Sequence, residues 1–303
     1  MASSSRPAPA PERHVLALFG PTASGKTAVA GVLRERLGAE VVSADSAALY
    51  DGLPIITAAP EYPARLVGVV PLDRNVSVGE YQQLAHAAID QIETPLLVGG
   101  TGLYFRAALS AMQIPPPGRR AHWQAEVERL GLAAAHALLS ERDPDAAARV
   151  HPNDRKRVVR ALELWDAGAS LAPATDQLWT EDTRLPTTIV ALEVPLDVLD
   201  RRIDERARAM AEAGAADEAR AAWAAPLSET ARKILGLEEF ATLRVEEAIA
   251  AVAQATRRLA RYQRKWLRRL PGVVTLDADG SPEEVADAIV ALGRAGKRLS
   301  RHA

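Results

Sequence analysis

The chain has 303 residues, with 48% apolar and 25% charged side chains, a composition typical of a globular protein with a sizeable core in one or two domains. Its 37 basic and 39 acidic side chains give a formal net charge of −2, so any affinity for nucleic acid must come from local clusters of basic residues. The absence of cysteine excludes a thiol nucleophile and a cysteine-based zinc site, and it fits a cytoplasmic protein. The sequence has no run of about 18 apolar residues, which excludes a membrane span.

Residues 1–13 are rich in Ser, Pro and Ala, and are predicted to form a disordered tail rather than a signal peptide. The apolar run from Val15 to Phe19 then predicts a strand, and the segment ending near Leu37 predicts a helix. The chain therefore enters its first domain on a strand–loop–helix unit.

The loop of this unit is a G-x-x-x-x-G-K-T motif in the strand-to-helix context that gives the motif its meaning. The backbone N–H groups of the loop and the positive end of the helix dipole can bind phosphate. Lys26 can contact the outer phosphate oxygens, and the Thr27 hydroxyl can bind Mg²⁺. The motif predicts binding of a di- or triphosphate without identifying it, and comprises Gly20, Pro21, Thr22, Ala23, Ser24, Gly25, Lys26 and Thr27.

A second buried strand is predicted from Glu40 to Ser43, followed directly by Asp45 and Ser46. The carboxyl ends of parallel strands line the ligand crevice, so both side chains are expected to face the same space as the phosphate loop. An Asp at a strand end is often only a turn former or helix cap. Beside a phosphate loop, we favour a functional role for Asp45.

Further strands are predicted from Arg65 to Val70 and from Pro95 to Val98. Between them, Ser77 and Glu80 have capping-box spacing and predict a helix to about Ile92. This alternation predicts an α/β fold with a parallel sheet covered by helices on both faces.

The strand ending at Val98 runs into Gly99-Gly100-Thr101-Gly102 and not into the acidic residue that often holds magnesium in nucleotide hydrolases and kinases. Backbone N–H groups and the Thr101 hydroxyl could instead hold the oxygens of a leaving group. A turn that lets strand and helix pack closely would also explain the glycines, but not Thr101.

Residues 114–185 are predicted to form a helical insertion, after which an apolar strand from Thr187 to Val194 resumes the core. In the insertion, Asn153 or Asp154 can cap a helix whose start carries Arg155, Lys156, Arg157 and Arg160. Cations oppose the dipole there, which suggests an anionic partner, although a solvated basic face explains them almost as well. His151 is read as a loop hydrogen-bonding residue rather than a metal ligand.

Later helices are predicted from Asp197 to Ala213, from Val245 to Leu270 and from Pro282 to Leu292, with a last strand at 273–276. On the longest helix, the apolar stripe that includes Tyr262 and Trp266 is assigned to the core. The adjoining face, with few acidic neighbours in the sequence, is assigned to a phosphate backbone. That face carries Arg257, Arg261, Arg264 and Arg268.

Taken together and in order, these motifs resemble the tRNA dimethylallyltransferase family, also called tRNA isopentenyltransferases. The resemblance runs from His14 to about Leu276 through the phosphate loop; Ser43-Ala44-Asp45-Ser46 with Tyr50; Gly52 with Thr57-Ala58; Val98-Gly99-Gly100-Thr101-Gly102-Leu103-Tyr104; His151-Pro152-Asn153-Asp154; and Thr256-Arg257 with Gln263, Trp266 and Arg268.

The resemblance implies transfer of a dimethylallyl group from dimethylallyl diphosphate to the exocyclic amine of the adenosine 3′ of the anticodon, in tRNAs that read codons starting with U. It implies a P-loop NTPase-like core at 14–113 and 186–303, with the insertion at 114–185 embracing the anticodon stem-loop. Asp45 would be the general base, Thr101 a second catalytic residue, and the phosphate loop, with Lys233, the diphosphate site containing Mg²⁺. The residues expected to bind tRNA are Ser46, Ala47, Ala48, Arg120, Lys156, Arg157, Arg160, Arg257, Arg261, Gln263, Arg264, Trp266 and Arg268.

The sequence departs from the family pattern at Leu237, Glu238 and Tyr262, at Ala48, and in the stretch 63–68. Three alternatives therefore stand beside the main interpretation: an isopentenyltransferase acting on free adenine nucleotides, a P-loop small-molecule kinase, and a non-catalytic RNA-binding relative. Nothing in the sequence requires more than a monomer.

Overall fold

The computed structural model describes residues 13–112, 114, 118–172 and 180–299, with side chains up to residue 292. It contains two compact units, one formed by the described residues up to Ala111 together with those from Glu181 onward, the other by Met112–Thr180. The sequence interpretation places the insertion at 114–185, so its boundaries differ slightly from those of the second unit. Apart from Arg13, the tail predicted at 1–13 lies outside the described residues.

The first unit is built on a six-stranded sheet in the order β3-β2-β4-β1-β5-β6, with all neighbouring strands parallel. Successive side chains at the end of β1 are fully buried, which shows that both faces of the sheet are covered. The predicted α/β fold with a parallel sheet is confirmed. The strands are β1 Val15–Phe19, β2 Glu40–Ala44, β3 Ala64–Arg65, β4 Pro95–Gly99, β5 Thr187–Glu193 and β6 Val273–Asp277.

The helices of the first unit are α1 Lys26–Leu37, α2 Pro54–Thr57, α3 Val78–Asp90, α4 Gly102–Leu109, α9 Leu196–Glu212, α10 Ala215–Trp223, α11 Leu237–Thr242, α12 Val245–Leu267 and α13 Pro282–Leu299. Those of the second unit are α5 Arg120–Leu130, α6 Leu132–Arg142, α7 Pro144–Arg149 and α8 Arg155–Asp166, and a 3₁₀ turn spans Ala231–Lys233. Within the described part of the chain, no helix combines the length and apolar character needed to cross a bilayer.

The third strand is much shorter than its apolar run suggests. Strand β3 ends at Arg65, because Leu66 and then Gly68 adopt positive φ values of 62° and turn the chain out of the extended conformation. Beyond it, Val70 forms an isolated bridge with Tyr50, which lies outside the strands of the sheet. The prediction of a strand from Arg65 to Val70 is therefore wrong over most of its length.

Local signals at helix starts are confirmed. Ser77 and Glu80 form the predicted capping box at the start of α3. Asp154 caps α8 by accepting a hydrogen bond from the backbone N–H of Arg157 at 3.1 Å. These caps depend on residues a few positions apart, which is why the sequence alone could locate them.

Candidate functional site

A cavity of about 690 Å³ lies in the first unit, beside the carboxyl ends of β1, β2 and β4. These strands are neighbours in the sheet, so the loops that follow them are brought together. The cavity is lined by five residues of the phosphate loop, by the residues after β2, and by side chains from α2, α9 and α12. The loop residues are Thr22, Ala23, Gly25, Lys26 and Thr27, and the residues after β2 are Asp45, Ala47 and Ala48.

The phosphate loop has the backbone shape that its glycine pattern requires. Gly25 adopts φ 88° just before α1, and a Cβ there would meet nothing within 4 Å, so conformation rather than space demands glycine. Ala23 also has a positive φ, of 62°. Two left-handed residues in a short loop turn successive N–H groups toward one concavity, the arrangement that binds anions.

Three cations and one carboxylate line the cavity: Lys26, Arg202, Arg206 and Asp45. Two of the cations, Lys26 and Arg206, are partly desolvated. Burial lowers the pKa of Lys26 to about 8; Asp45 opposes this shift, and Arg206 adds to it. Burial also lowers the pKa of Arg206, again against the influence of Asp45. The Lys26 Nζ donates to the Pro21 carbonyl at 2.6 Å, and the Arg206 Nη1 donates to the Thr22 hydroxyl at 3.2 Å.

Arg206 is a site residue that the sequence did not reveal. It lies in the middle of α9, among charged residues that follow an ordinary amphipathic pattern, and no motif marks it. Only the fold brings it to the phosphate loop, where its guanidinium contacts Thr22. With Lys26, it gives the cavity two partly desolvated cations, the environment that a diphosphate requires.

The two carboxylate oxygens of Asp45 differ in their hydrogen bonds. Its Oδ1 accepts hydrogen bonds from the backbone N–H groups of Ala47 at 2.8 Å and Ala48 at 3.4 Å, which is the turn-forming role common at strand ends. Its Oδ2 accepts none from the described residues. One oxygen therefore fixes the side chain, while the other can accept a proton in the cavity.

Each glycine of the Gly99-Gly100-Thr101-Gly102 junction is required by a close neighbour. A Cβ on Gly99 would lie 2.3 Å from the Ala44 carbonyl oxygen, and one on Gly100 would lie 2.6 Å from the Gln263 Nε2. A Cβ on Gly102 would lie 2.1 Å from the Trp266 ring. Close packing of strand and helix thus accounts for all three glycines.

Thr101 is linked to the end of β2 through Ser46. The Thr101 hydroxyl accepts from the Ser46 backbone N–H at 3.3 Å and lies 3.4 Å from the Ser46 Oγ. At the start of α4 it makes no capping hydrogen bond. The hydroxyl is thus held next to the strand end that carries Asp45.

Gln263 and Trp266 face the site rather than an outer surface. The Gln263 side chain is 6% exposed, and its Oε1 accepts from the Thr22 backbone N–H at 2.7 Å. Trp266 lies against Gly102. In this structure the Gln263 amide holds the phosphate loop, and its assignment to tRNA binding stays a prediction.

The arginines of α12 have acidic partners that the sequence did not suggest. Arg257 forms ion pairs with Asp200 and Asp204, and Arg261 lies 3.4 Å from Asp200. Arg264 pairs with Glu193 at 3.1 Å. The expectation of few acidic neighbours is wrong, because α9 and the end of β5 supply carboxylates from more than fifty positions earlier. Arg268 is exposed, without an ion pair among the described residues.

The apolar stripe of α12 is also less buried than expected. Tyr262 is 57% exposed and Leu259 37% exposed, although Leu259 lines the cavity. The assignment of Tyr262 to the core is therefore wrong. The helix presents its Gln263 side to the site and leaves Tyr262 in solvent.

Lys233 does not line the cavity. It is exposed in the 3₁₀ turn and forms an ion pair with Glu229, while nearby Leu235 lines the cavity instead. Its expected contact with diphosphate stays a prediction.

In the second unit, the predicted cations fall into two groups. Arg120 and Lys156 are exposed and have no ion pair among the described residues. Arg157 lies 3.8 Å from Asp154, and Arg160 lies 3.0 Å from the buried carboxylate of Glu163. The His151 Nδ1 accepts from the backbone N–H of Asn153 at 3.1 Å, which is the loop role assigned to it.

Magnesium fits this site only together with oxygens of a substrate. Within the described ranges, no group of three or more His, Asp or Glu side chains could hold a metal. Thr27 is exposed and lines the cavity, so its hydroxyl is available as one ligand. A hydroxyl with phosphate and water oxygens is a donor set that Mg²⁺ accepts.

Comparison with known proteins gives matches along most of the chain. A family model described as IPP transferase matches residues 48–270. The tRNA dimethylallyltransferase of Anaeromyxobacter dehalogenans is 41% identical over 294 residues, covering 90% of this chain and 98% of that protein. The one from Roseiflexus sp. is 38% identical over 292 residues, covering 88% and 94%.

Solved structures give the same result for the fold. The tRNA isopentenylpyrophosphate transferase from Bacillus halodurans superposes with a TM-score of 0.68 at 30% identity, covering 96% of this chain and all of that one. A eukaryotic dimethylallyltransferase acting on tRNA gives a TM-score of 0.77 at 22% identity, covering 96% and 80%. The second likeness supports the fold alone. The matches extend far beyond the phosphate loop.

Proposed function

Because the chain belongs to the IPP transferase family, we propose that it is a tRNA dimethylallyltransferase that alkylates the exocyclic amine of the adenosine 3′ of the anticodon in tRNAs reading codons that begin with U. The donor is dimethylallyl diphosphate. The observation that carries the proposal is the presence of a phosphate loop, two partly desolvated cations and one available carboxylate oxygen around a single cavity.

The cations of the cavity serve the leaving group. As the allylic C–O bond breaks, its electron pair leaves with the diphosphate and the carbon becomes cation-like. Lys26, Arg206 and the loop N–H groups stabilise that developing negative charge in a partly buried site, where electrostatic interactions are strong. The Thr101 hydroxyl, held beside Ser46, adds a further donor at the same edge of the sheet.

Thr27 would hold Mg²⁺ together with diphosphate oxygens, and the ion would supply additional neutralisation of the leaving group. The other steps of the reaction are carried out by side chains of the protein. A cluster of acidic residues is not required to bind Mg²⁺, because the diphosphate of the substrate supplies oxygen ligands.

Asp45 serves the nucleophile. The exocyclic nitrogen of adenine forms a bond to the allylic carbon and loses a proton, which the Asp45 Oδ2 accepts. The hydrogen bonds from Ala47 and Ala48 to Oδ1 fix the direction of that second oxygen. The adenine must leave its stack to reach the cavity, as in other enzymes that act on a base. A positioned base of this kind accelerates such a step by ~10²–10⁴-fold.

The exposed cations Arg120 and Lys156 of the second unit and Arg268 of the first would contact the tRNA backbone. The working unit is proposed to be a monomer. A tRNA substrate suits the cytoplasm as the compartment.

The experiment is to incubate the protein with dimethylallyl diphosphate, Mg²⁺ and unmodified tRNA that carries adenosine 3′ of the anticodon, then to digest the RNA and weigh the nucleosides. A gain of one dimethylallyl group on that adenosine is the expected result. Product with AMP and none with tRNA would identify an enzyme of free nucleotides. Transfer of a labelled γ-phosphate from ATP would instead identify a kinase.

A further inference from the structure

Helix α2 forms one wall of the cavity and depends on the rest of the fold for its position. It consists only of Pro54–Thr57, and all of these residues line the cavity. A helix with a single turn is unstable in water without support from outside. The contacts of α2 with other elements therefore decide where this wall lies.

The N-terminus of α2 is held by a side chain from a distant part of the chain. Its first residue is a proline, which has no backbone N–H. The two oxygens of the Glu218 carboxylate accept hydrogen bonds from the backbone N–H groups of Ile55, at 2.9 Å, and Ile56, at 2.8 Å. The next N–H, that of Thr57, donates to the Leu53 carbonyl at 3.0 Å. One carboxylate thus binds both of the N–H groups that the first turn leaves open.

Glu218 also connects this wall to the helix that carries a cation of the site. It lies in α10, which packs against α2 and follows α9 after a short turn at Gly214. In α9, Arg206 contacts Thr22 of the phosphate loop, and Met210, one turn and about 6 Å farther toward α10, also lines the cavity. The carboxylate therefore links α2 to the element that extends from the phosphate loop to an apolar part of the cavity.

The surface that α2 presents to the cavity suits a hydrocarbon better than a base. Ile55 and Ile56 are aliphatic, and the Thr57 hydroxyl donates to the Leu53 carbonyl at 2.7 Å within the same turn. The side chains of this wall therefore have no hydrogen-bond donor left for the edge of an adenine. With Met210, they form the kind of lining that a branched alkenyl group requires.

We propose that Glu218 is a positioning residue that fixes the α2 wall of the cavity and thereby limits the size of the hydrocarbon group that the donor can carry. The proposal rests on the proposed function, because it concerns the donor of that reaction. Without the carboxylate, the N–H groups of Ile55 and Ile56 must find water as a partner. The wall is then free to move outward, which makes room for a larger group.

The experiment is a competition between two donors at equal concentration. One is dimethylallyl diphosphate, and the other is its homologue with an ethyl group in place of one branch methyl. After transfer to tRNA, the RNA is digested and the two alkylated nucleosides are weighed, since their masses differ by one methylene. The product ratio reports the ratio of the two kcat/KM values. An apolar pocket discriminates against one extra methylene by about 10–200-fold, and the unaltered protein should prefer dimethylallyl diphosphate to that extent.

Glu218→Ala is expected to reduce this preference at least about fivefold, because the released wall leaves room for the extra methylene. Glu218→Gln keeps one acceptor oxygen for one of the two N–H groups and should give an intermediate ratio. Asp217→Ala is the matched control: this neighbour on α10 is exposed and pairs with Arg220 at 3.1 Å, so its removal should leave the ratio unchanged.

The product ratio separates positioning from a general loss of structure. A variant that is only less stable forms less of both products and keeps their ratio, so an unchanged ratio in the Glu218 variants would overturn the positioning role. If Glu218→Ala does not fold, Glu218→Gln decides the question alone. Ile56→Val tests the wall directly: a shifted ratio there, with none in either Glu218 variant, would show that α2 senses the donor without help from Glu218.

The unaltered protein separates this proposal from the proposed function. If it alkylates tRNA with the dimethylallyl group and all variants give the same ratio, the reaction stands and the role of Glu218 is wrong. If it alkylates tRNA with neither donor, the proposed function fails and the role of Glu218 fails with it.

Discussion

Replacement of Gln263 by Leu tests whether α12 organises the diphosphate site. The substitution keeps the approximate size of the side chain but removes the oxygen that accepts from the Thr22 N–H at 2.7 Å. A buried donor left without a partner costs about 1–3 kcal/mol. If the lost hydrogen bond destabilises the binding conformation of the phosphate loop by this free energy, the KM for dimethylallyl diphosphate should rise about 5- to 150-fold.

The assay is steady-state transfer at saturating tRNA with a varied donor concentration, together with thermal unfolding of each variant. Gln254→Leu is the matched control, since Gln254 lies exposed on the same helix. Gln263→Glu keeps an acceptor oxygen but adds a buried negative charge near the phosphate loop, so its KM for the anionic donor should also rise. An unchanged KM in Gln263→Leu would refute the role of this hydrogen bond.

Three further predictions concern other residues. Asp45→Ala should lower single-turnover transfer by about 10²–10⁴-fold, with tRNA binding by filter retention nearly unchanged, and equal turnover would remove Asp45 as the base. Because the pKa of Lys26 is lowered from 10.5 to about 8, donor affinity should fall as pH rises through about 8, and Lys26→Arg should lack that step in a KM–pH profile. In the unaltered protein the Gly118 N–H donates to the Glu163 carboxylate at 2.7 Å, and Glu163→Leu removes this acceptor. The variant should lower the free energy of unfolding, measured in urea, by about 1–3 kcal/mol. Glu141→Leu, at an exposed position, should not lower it.

The sign of the Lys26 effect on stability follows from the same shift. Between about pH 8 and 10.5 the unfolded chain holds a proton that the folded chain has released. Stability contributed by this group therefore rises with pH across that window, while binding of the anionic donor weakens. The two trends are opposite, so unfolding and KM measured on the same samples distinguish loss of donor binding from loss of fold.

The parts of the fold that the sequence predicted are those set by short-range patterns. The strand before the phosphate loop, the capping box at Ser77 and the cap at Asp154 each depend on residues within a few positions. The strand expected beyond Arg65 failed because an apolar run does not reveal the positive φ of Leu66, a residue with no turn signal of its own. Backbone turns at ordinary residues are decided by tertiary contacts.

The site residues divide in the same way, into those predicted from short-range patterns and those that only tertiary packing brings to the site. The sequence predicted that the phosphate loop, Asp45 and Thr101 follow strand ends, because the order of elements along the chain fixes those positions. Arg206 was missed because only the fold brings α9 to the phosphate loop, where the guanidinium contacts Thr22. The pairing of Arg257 with Asp200 and Asp204 was missed for the same reason, because the sequence places those charges about fifty positions apart.

In the proposed reaction, helix α12 would act on the donor and on the tRNA through different sides of the helix. Gln263 and Trp266 face the phosphate loop and the glycine junction, and Arg258 and Lys265 face solvent. Since neighbouring positions on a helix are 100° apart, a change on one side leaves the other in place. Changes on the inner side should therefore raise the donor KM without changing the slope of log tRNA affinity against log salt, and changes on the outer side should flatten that slope at constant donor KM. If α12 served only to support RNA, substitutions in it would not change the KM for the donor. The hydrogen bond from the Thr22 N–H to Gln263 predicts that they do.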